Sequence, residues 1–197
     1  MKREELKELH YITPICNVRS IMTLGLLSHR RAEAVGHCSI AMEEIQTRRD
    51  KKTVPGGLAL HEYVNLYINA RNKMLFKIKD KHADLCVLGI DPGLLDLPGV
   101  IVADRNASSD YVRFEPAPNG LQYIDERLVY AHYWTHPDNP IEEFRHGSIM
   151  CAEVLVPHRV NPCYIMSAYV SCSEARSAIV KTGVNIAAAI NSWLFFR

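Results

Sequence analysis

One acid in an apolar run constrains this chain more than any other residue. From Ser148 to Pro157 the sequence reads Ser-Ile-Met-Cys-Ala-Glu-Val-Leu-Val-Pro, a buried strand in every respect but Glu153. A carboxylate is seldom buried without a partner or a task, because stripping its water is costly unless charge and hydrogen bonds replace it. Strand alternation puts Cys151, Glu153 and Leu155 on one face. Any fold that accepts this strand must answer for the charge on that face.

A second stretch, Leu60 to Ile78, supplies a matching cation. Tyr63 to Ile68 and Met74 to Ile78 have the aromatic, branched and alternating character of strands, with the polar segment Asn69-Ala70-Arg71-Asn72-Lys73 as the turn between them. The arrangement predicts a guanidinium, Arg71, at a sheet edge. By itself Arg71 reads as an ordinary solvated arginine whose truncation leaves no cavity. Beside Glu153, it suggests an arginine and a glutamate facing one cleft.

The remaining order is strand, helices, then several strands with short helices between them, which predicts an α+β fold. His10 to Thr13 reads as a first strand, and Asn17 as the N-cap of a helix that stops at Gly25. Ser39 to Arg49 looks helical, with Arg48, Arg49, Lys51 and Lys52 as a basic knot ahead of Pro55-Gly56-Gly57. A charge run of this kind is ordinarily a solvated face. Leu85 to Ile90 and Val100 to Val102 are the central strand candidates, and Asp104 to Asn119 an ordered loop. Its polar groups, Tyr111, Arg113 and Phe114 suit a single-stranded nucleic acid, where bases stack and phosphates pair. Ile124 to Trp134 reads as a helix, Cys163 to Val170 as a strand, Ser173 to Val180 as a helix capped by Ser173, and Trp193 to Phe196 as a closing strand.

Composition narrows the function classes. A net charge of +1 over 197 residues announces no global field for nucleic acid, so any such surface is local. The six cysteines show no CxxC pair and read as reduced thiols of a cytoplasmic protein, with no metal site expected. The charged N-terminus lacks the apolar core of a signal peptide, and no apolar run approaches membrane-spanning length. Neither GxGxxG nor GxxxxGK[ST] occurs, which removes the Rossmann and P-loop routes to nucleotide binding. One domain over residues 1–197 is the simplest partition.

Leu60-His61-Glu62-Tyr63-Val64, Tyr67, Arg71 and Met74-Leu75, followed by Ala152-Glu153-Val154-Leu155-Val156, resemble the two motifs of the DarT-type toxins. Asn65 and Lys73 stand where that family has prolines. Near the N-terminus Thr13 and Asn17 match its NAD-cradling segment, while Tyr11 and Pro14 replace two histidines. The likeness runs from about Leu9 to Phe196. It implies an ADP-ribosyltransferase fold with a split β-sheet and flanking helices, and NAD-dependent mono-ADP-ribosylation of a base in single-stranded DNA. Thymine and guanine are both used in the family. It further implies a toxin partnered by a macrodomain antitoxin of the DarG type, with NAD as co-substrate and no metal. Glu153 and Arg71 take the catalytic roles by this resemblance; Tyr11, Thr13, Asn17 and Arg71 hold NAD. Two alternatives share these residues: a transferase acting on protein or RNA, and a catalytically silent module that binds single-stranded nucleic acid.

Overall fold

A computed structural model describes residues 1–40 and 42–197; residue 41, within the stretch expected to be helical, lies outside the described residues. In chain order the elements are β1 (Leu9–Pro14), α1 (Val18–Leu24), β2 (Leu26–Leu27), α2 (His29–Ala32), α3 (Glu43–Asp50), β3 (Tyr63–Tyr67), α4 (Lys73–Lys77), β4 (Leu85–Ile90), β5 (Ile101–Ala103) and β6 (Phe114–Pro116). Then come α5 (Glu126–Val129), α6 (Pro140–Ile149), β7 (Glu153–Pro157), β8 (Arg159–Val160), β9 (Ile165–Val170), α7 (Ser173–Lys181) and β10 (Ala188–Ile190). The α+β expectation holds. No helix among the described residues is long and apolar enough to cross a membrane.

The described residues form an eight-stranded mixed sheet in the order β10-β9-β4-β1-β3-β7-β5-β6, with β2 and β8 as a separate pair. Its weak seam lies in the middle. β1 pairs with β4 at every residue from Leu9 to Pro14, and β3 with β7 at every residue from Tyr63 to Tyr67. Between β1 and β3, the only register pair among the described residues is His10 with Tyr67. Continuing that antiparallel register would set Thr13 against Val64, but the strands have parted by then. The split sheet is thus two well-laddered halves that diverge from one point.

The two faces of the sheet are filled differently. One face packs Val64, Leu66, Cys86, Leu88, Ile90, Val154 and Val156 into the main core, with Val18 and Ile21 of α1 and Ala175 and Ile179 of α7. The other face carries two smaller clusters. One gathers Ile12, Tyr67, Leu75, Val87, Cys151 and Phe195; the other gathers Val54, Leu60, Tyr63, Ala103 and Leu155. Along β3 the alternation runs Tyr63, Asn65, Tyr67; the strand expected from Ser148 begins only at Glu153, because α6 runs on to Ile149, and β7 puts Glu153 and Leu155 on the same face, with Cys151 in the turn before it. Asn65 and Glu153 therefore lie between the clusters, where no continuous apolar layer forms.

Several expected elements differ, each for a local reason. Met74 to Ile78 is not a strand: Lys73–Lys77 is helical, because the buried Asn72 side chain accepts from the N–H groups of Met74 and Leu75 at 3.0 and 3.1 Å. Those are the orphan donors of a helix start, and capping them outweighs the strand character of five residues. Ile124 to Trp134 shortens to the single turn Glu126–Val129, capped by Asp125. The helix expected over Ser39 to Arg49 begins only at Glu43. Residue Ser173 opens α7 rather than capping it, the N-cap being Cys172. The closing strand is Ala188–Ile190, while Ser192–Phe195 forms a 3-10 helix that buries Phe195 and ends at Phe196. Residue Asn17 does precede α1, which ends at Gly25 with φ 86°, but its side chain makes no cap.

Asn72 also donates to the Asn69 carbonyl at 2.8 Å, tying the turn to the helix it starts. Replacing Asn72 with Ala strands these buried groups and should lower the unfolding free energy by about 1–2 kcal/mol. Urea unfolding of the variant measures this, and an unchanged midpoint would show that the cap is dispensable.

Candidate functional site

Where β1 and β3 part, a cavity of about 330 Å³ opens. Tyr11, Thr13 and Pro14 of β1 form one wall and Tyr63, Asn65 and Tyr67 of β3 the opposite one. Helix α3 closes over them with Ile45, Arg48 and Arg49. The loop after β5 adds Asn106, Ser108 and Ser109, and α6 adds Phe144, Gly147 and Ser148.

Glu153 has no exposed surface and sits beneath this cavity rather than on its lining. Arg49, which does line it, covers the carboxylate: its Nη1 donates to Oε1 at 3.3 Å and to Oε2 at 3.0 Å. The Ala107 N–H also donates to Oε1, at 3.2 Å. Arg49 itself is only 5% exposed, so this is a buried ion pair at the base of an open cleft. Its Nη2 is buried without a hydrogen-bond partner among the described residues, as are Ser148 Oγ and His61 Nε2. Orphaned polar atoms around a cavity are the mark of a site shaped for a polar ligand.

The cation that answers Glu153 is therefore Arg49 and not Arg71. Arg71 does not line the cavity. Its guanidinium lies between the rings of Trp193 and Phe196, 3.8 and 3.9 Å from their centroids, and donates to the Trp193 carbonyl. It is no solvated side chain either, so its truncation would remove two stacking contacts. Arg49 left no distinguishing sequence signal: α3 carries a single apolar residue, Ile45, one helical turn before it, and the neighbouring Arg48 pairs with Glu44 in solvent at 3.3 Å.

The three remaining expected residues all reach the cavity. Tyr11 is partly buried, and desolvation pushes its phenol above the ordinary value. The hydroxyl of Thr13 is turned inward and accepts from Asn17 Nδ2 at 3.3 Å. Asn17 fastens a loop to the cleft rim: its Nδ2 donates to the Cys38 carbonyl at 2.8 Å and its Oδ1 accepts from the Cys38 N–H at 2.9 Å. Its amide is thus committed largely to the protein. His10 points away, toward the Ile68 carbonyl at 3.3 Å, as strand alternation requires.

Two neighbours are held in their neutral forms beside the carboxylate. Burial, reinforced by Glu153, raises the Tyr67 phenol well above its usual value. Burial likewise pushes the Cys151 thiol up to about 12, so it is not a nucleophile at neutral pH. At the far end His61 is lowered by burial, then by His29 and Arg49, which favours the neutral imidazole. No group of three or more His, Cys, Asp or Glu able to hold a metal occurs among the described residues.

A family model described as "DarT: ssDNA thymidine ADP-ribosyltransferase" matches residues 10–195. A DNA ADP-ribosyl transferase–DNA ADP-ribosyl glycohydrolase fusion protein of Thermosipho africanus is 30% identical over 89% of this chain, which spans 45% of that protein. A DNA ADP-ribosyl transferase of a Thermus species is 32% identical over 70% of this chain and 72% of its own length. Among solved structures, Thermosipho africanus DarTG in complex with ADP-ribose superposes with a TM-score of 0.82 at 28% identity, over 96% of this chain and 51% of that one. Thermus sp. 2.9 DarT in complex with ADP-ribosylated single-stranded DNA shares the fold, with a TM-score of 0.83 at 24% identity over 96% of each chain.

The buried pair makes a stability prediction that a solvated arginine would not. Arg49→Ala leaves the Glu153 charge buried and uncompensated, and should cost about 3 kcal/mol in urea unfolding. Arg48→Ala, one residue away, should stay within about 0.5 kcal/mol of the parent. Equal effects from the two would show that Arg49 gives Glu153 no net stabilisation.

Proposed function

Because the chain belongs to the DarT family, we propose that it is an ADP-ribosyltransferase that uses NAD to modify a base of single-stranded DNA, thymine being the base that the family model names. The observation that carries this reading is Glu153, a carboxylate with no exposed surface, delivered by β7 to the base of the cleft and gripped by Arg49. The orphaned Arg49 Nη2 and Ser148 Oγ suit a co-substrate rich in phosphate, hydroxyl and amide oxygens, as NAD is.

The reaction needs little machinery. The bond between nicotinamide and the ribose C1 breaks, neutral nicotinamide leaving with its electron pair; a base nitrogen's pair forms the new bond to that carbon, and its proton is released to solvent. Positive character grows at the ribose carbon as the first bond lengthens, as in glycoside cleavage. Glu153, beneath the cavity floor, is the negative charge that answers it, and Arg49, which covers the carboxylate, must shift for the two to touch. Arg49 and the Ala107 N–H hold the carboxylate in one orientation before substrate arrives. Tyr67, kept protonated, gives the base of the cleft a neutral aromatic surface on which a flat ring can rest. Tyr11 and Thr13 bound the opposite wall and would help hold NAD there. The base edge used in Watson–Crick pairing is hidden in a duplex, which favours a single strand as acceptor.

The Thermosipho relative is named as a fusion of transferase and glycohydrolase. That supports a toxin whose modification is reversed by a macrodomain antitoxin of the DarG type. Six unpaired thiols fit a cytoplasmic site of action, with residues 1–197 working as one domain.

Incubation with labelled NAD should place ADP-ribose on a single-stranded mixed-sequence oligonucleotide and leave the same strand in a duplex, RNA and bystander protein nearly unlabelled. Mass spectrometry of the product identifies the base. Glu153→Gln should keep NAD binding while transfer slows at least about a hundredfold. Labelling of protein alone, or near-normal transfer by that variant, would refute the assignment.

A further inference from the structure

Arg71 is the motif residue that the cleft does not use, and its surroundings show a second surface. Its guanidinium holds Trp193 and Phe196 on either side of itself, and the chain folds back through a left-handed Phe196, φ 63°, to bring that ring there. A non-glycine residue in this region is strained, so the ring placement is bought against a backbone cost. Phe196 meets Phe76 of α4 edge-on at 5.1 Å, and Phe76 meets the buried Trp134 at 5.2 Å. On the outer side Trp193 meets His132 at 5.4 Å, which in turn meets Tyr133. One aromatic network thus joins α4, the segment after α5 and the C-terminal turn.

A purely structural cluster would be covered, and this one is not. Tyr133 is 68% exposed, Trp193 51%, and Phe144 at the cleft mouth 61%. Large aromatics grouped on a surface mark a contact site far more often than scattered ones do. The charged groups packed against these rings are cations. Lys79 Nζ lies 3.9 Å from the Phe76 ring centroid and Lys73 Nζ 5.8 Å from that of Phe144. Among the described residues, neither they nor Arg71 and Lys77 form an ion pair with a carboxylate. Lys73, Lys77 and Phe144 also line the cavity, so the surface is continuous with the cleft.

We propose that this aromatic face, braced by Arg71, is a stacking platform for the nucleotides that flank the modified base in a single-stranded DNA substrate. The inference rests on the reading of the cleft as a base-modifying site. Exposed π-faces beside uncompensated cations match a polymer of flat bases and phosphates: the rings take the bases in any sequence, and the lysines take the backbone. Arg71 is a positioning residue here, acting through Trp193 rather than on the reacting atoms.

The test is fluorescence anisotropy with a labelled single-stranded 12-mer and a trimer, without NAD, followed by steady-state transfer to both. Tyr133→Ala and Trp193→Ala should each raise Kd and KM for the 12-mer about tenfold, the loss expected for one stacked base. The trimer Kd, the KM for NAD and kcat at saturating 12-mer should stay within about twofold. Tyr133 meets one ring among the described residues, that of His132, so its loss should leave the fold intact, and Tyr133→Phe should restore 12-mer binding. Unchanged 12-mer binding by both Ala variants, or equal weakening of trimer and 12-mer, would overturn the platform and leave the face to a protein partner. Wild-type protein that binds the 12-mer through Tyr133 and Trp193 yet transfers nothing to it would instead refute the proposed reaction while the platform stands.

Discussion

A carboxylate with no exposed surface can sit in the middle of a sheet only if a cation is carried to it, and in this protein α3 carries Arg49. That requirement reaches well beyond the two residues. It fixes α3 over the sheet, since the guanidinium must span from the helix to β7. It also ties the loop after β5 into place through the Ala107 N–H, and the same loop is pinned again where Asn106 N–H donates to the Ser148 carbonyl at 2.9 Å. Helix α3, β7, the 104–109 loop and the end of α6 are therefore held by one charged contact and its satellites. A buried pair of this kind adds little stability relative to an apolar substitute, so its value lies in the geometry it enforces.

The cleft exists because the sheet is nearly cut in two. A continuous ladder between β1 and β3 would bring Thr13 against Val64 and leave no room beneath α3. With one register pair the halves diverge, and the second face of the sheet cannot be filled by one core. The gap between its two apolar clusters is lined instead by Asn65, Tyr67 and the residues above Glu153. Divergent strands leave polar backbone and side chains facing a cavity, which is tolerable only where a ligand or water completes them. Among the described residues, Arg49 Nη2, Ser148 Oγ and His61 Nε2 are the uncompleted groups of the residues that line this cavity.

The two arginines divide the labour differently from what their neighbourhoods suggest. Arg49, in a run of surface charge, is the buried one. Arg71, inside the motif, lies at the edge and organises aromatics. The cleft and the aromatic face are adjacent because α4 contributes to both: Lys73, Met74 and Lys77 line the cavity while Phe76 joins the rings. The Asn72 cap that turns this segment into a helix rather than a strand is what lets one short element serve two surfaces.

By itself the sequence determined the elements whose partners lie close along the chain or whose character is uniform. The all-apolar strand Leu85–Ile90, the helix ending at Gly25, and the strand in which Glu153 alternates with core residues were legible because burial on both faces, a left-handed glycine and period-two alternation each leave a local trace. The oddity of Glu153 was legible for the same reason. Its partner was not, because Arg49 lies 104 residues away and a buried arginine looks no different in sequence from the solvated Arg48 beside it. Nor was the fate of Met74 to Ile78 or Trp193 to Phe196, short runs with strand composition that side-chain caps from Asn72 and Asn191 turned to helix and 3-10 turn. Only the tertiary structure decided these, since local preference over a few residues is worth less than satisfying one buried charge or one set of helix-start donors.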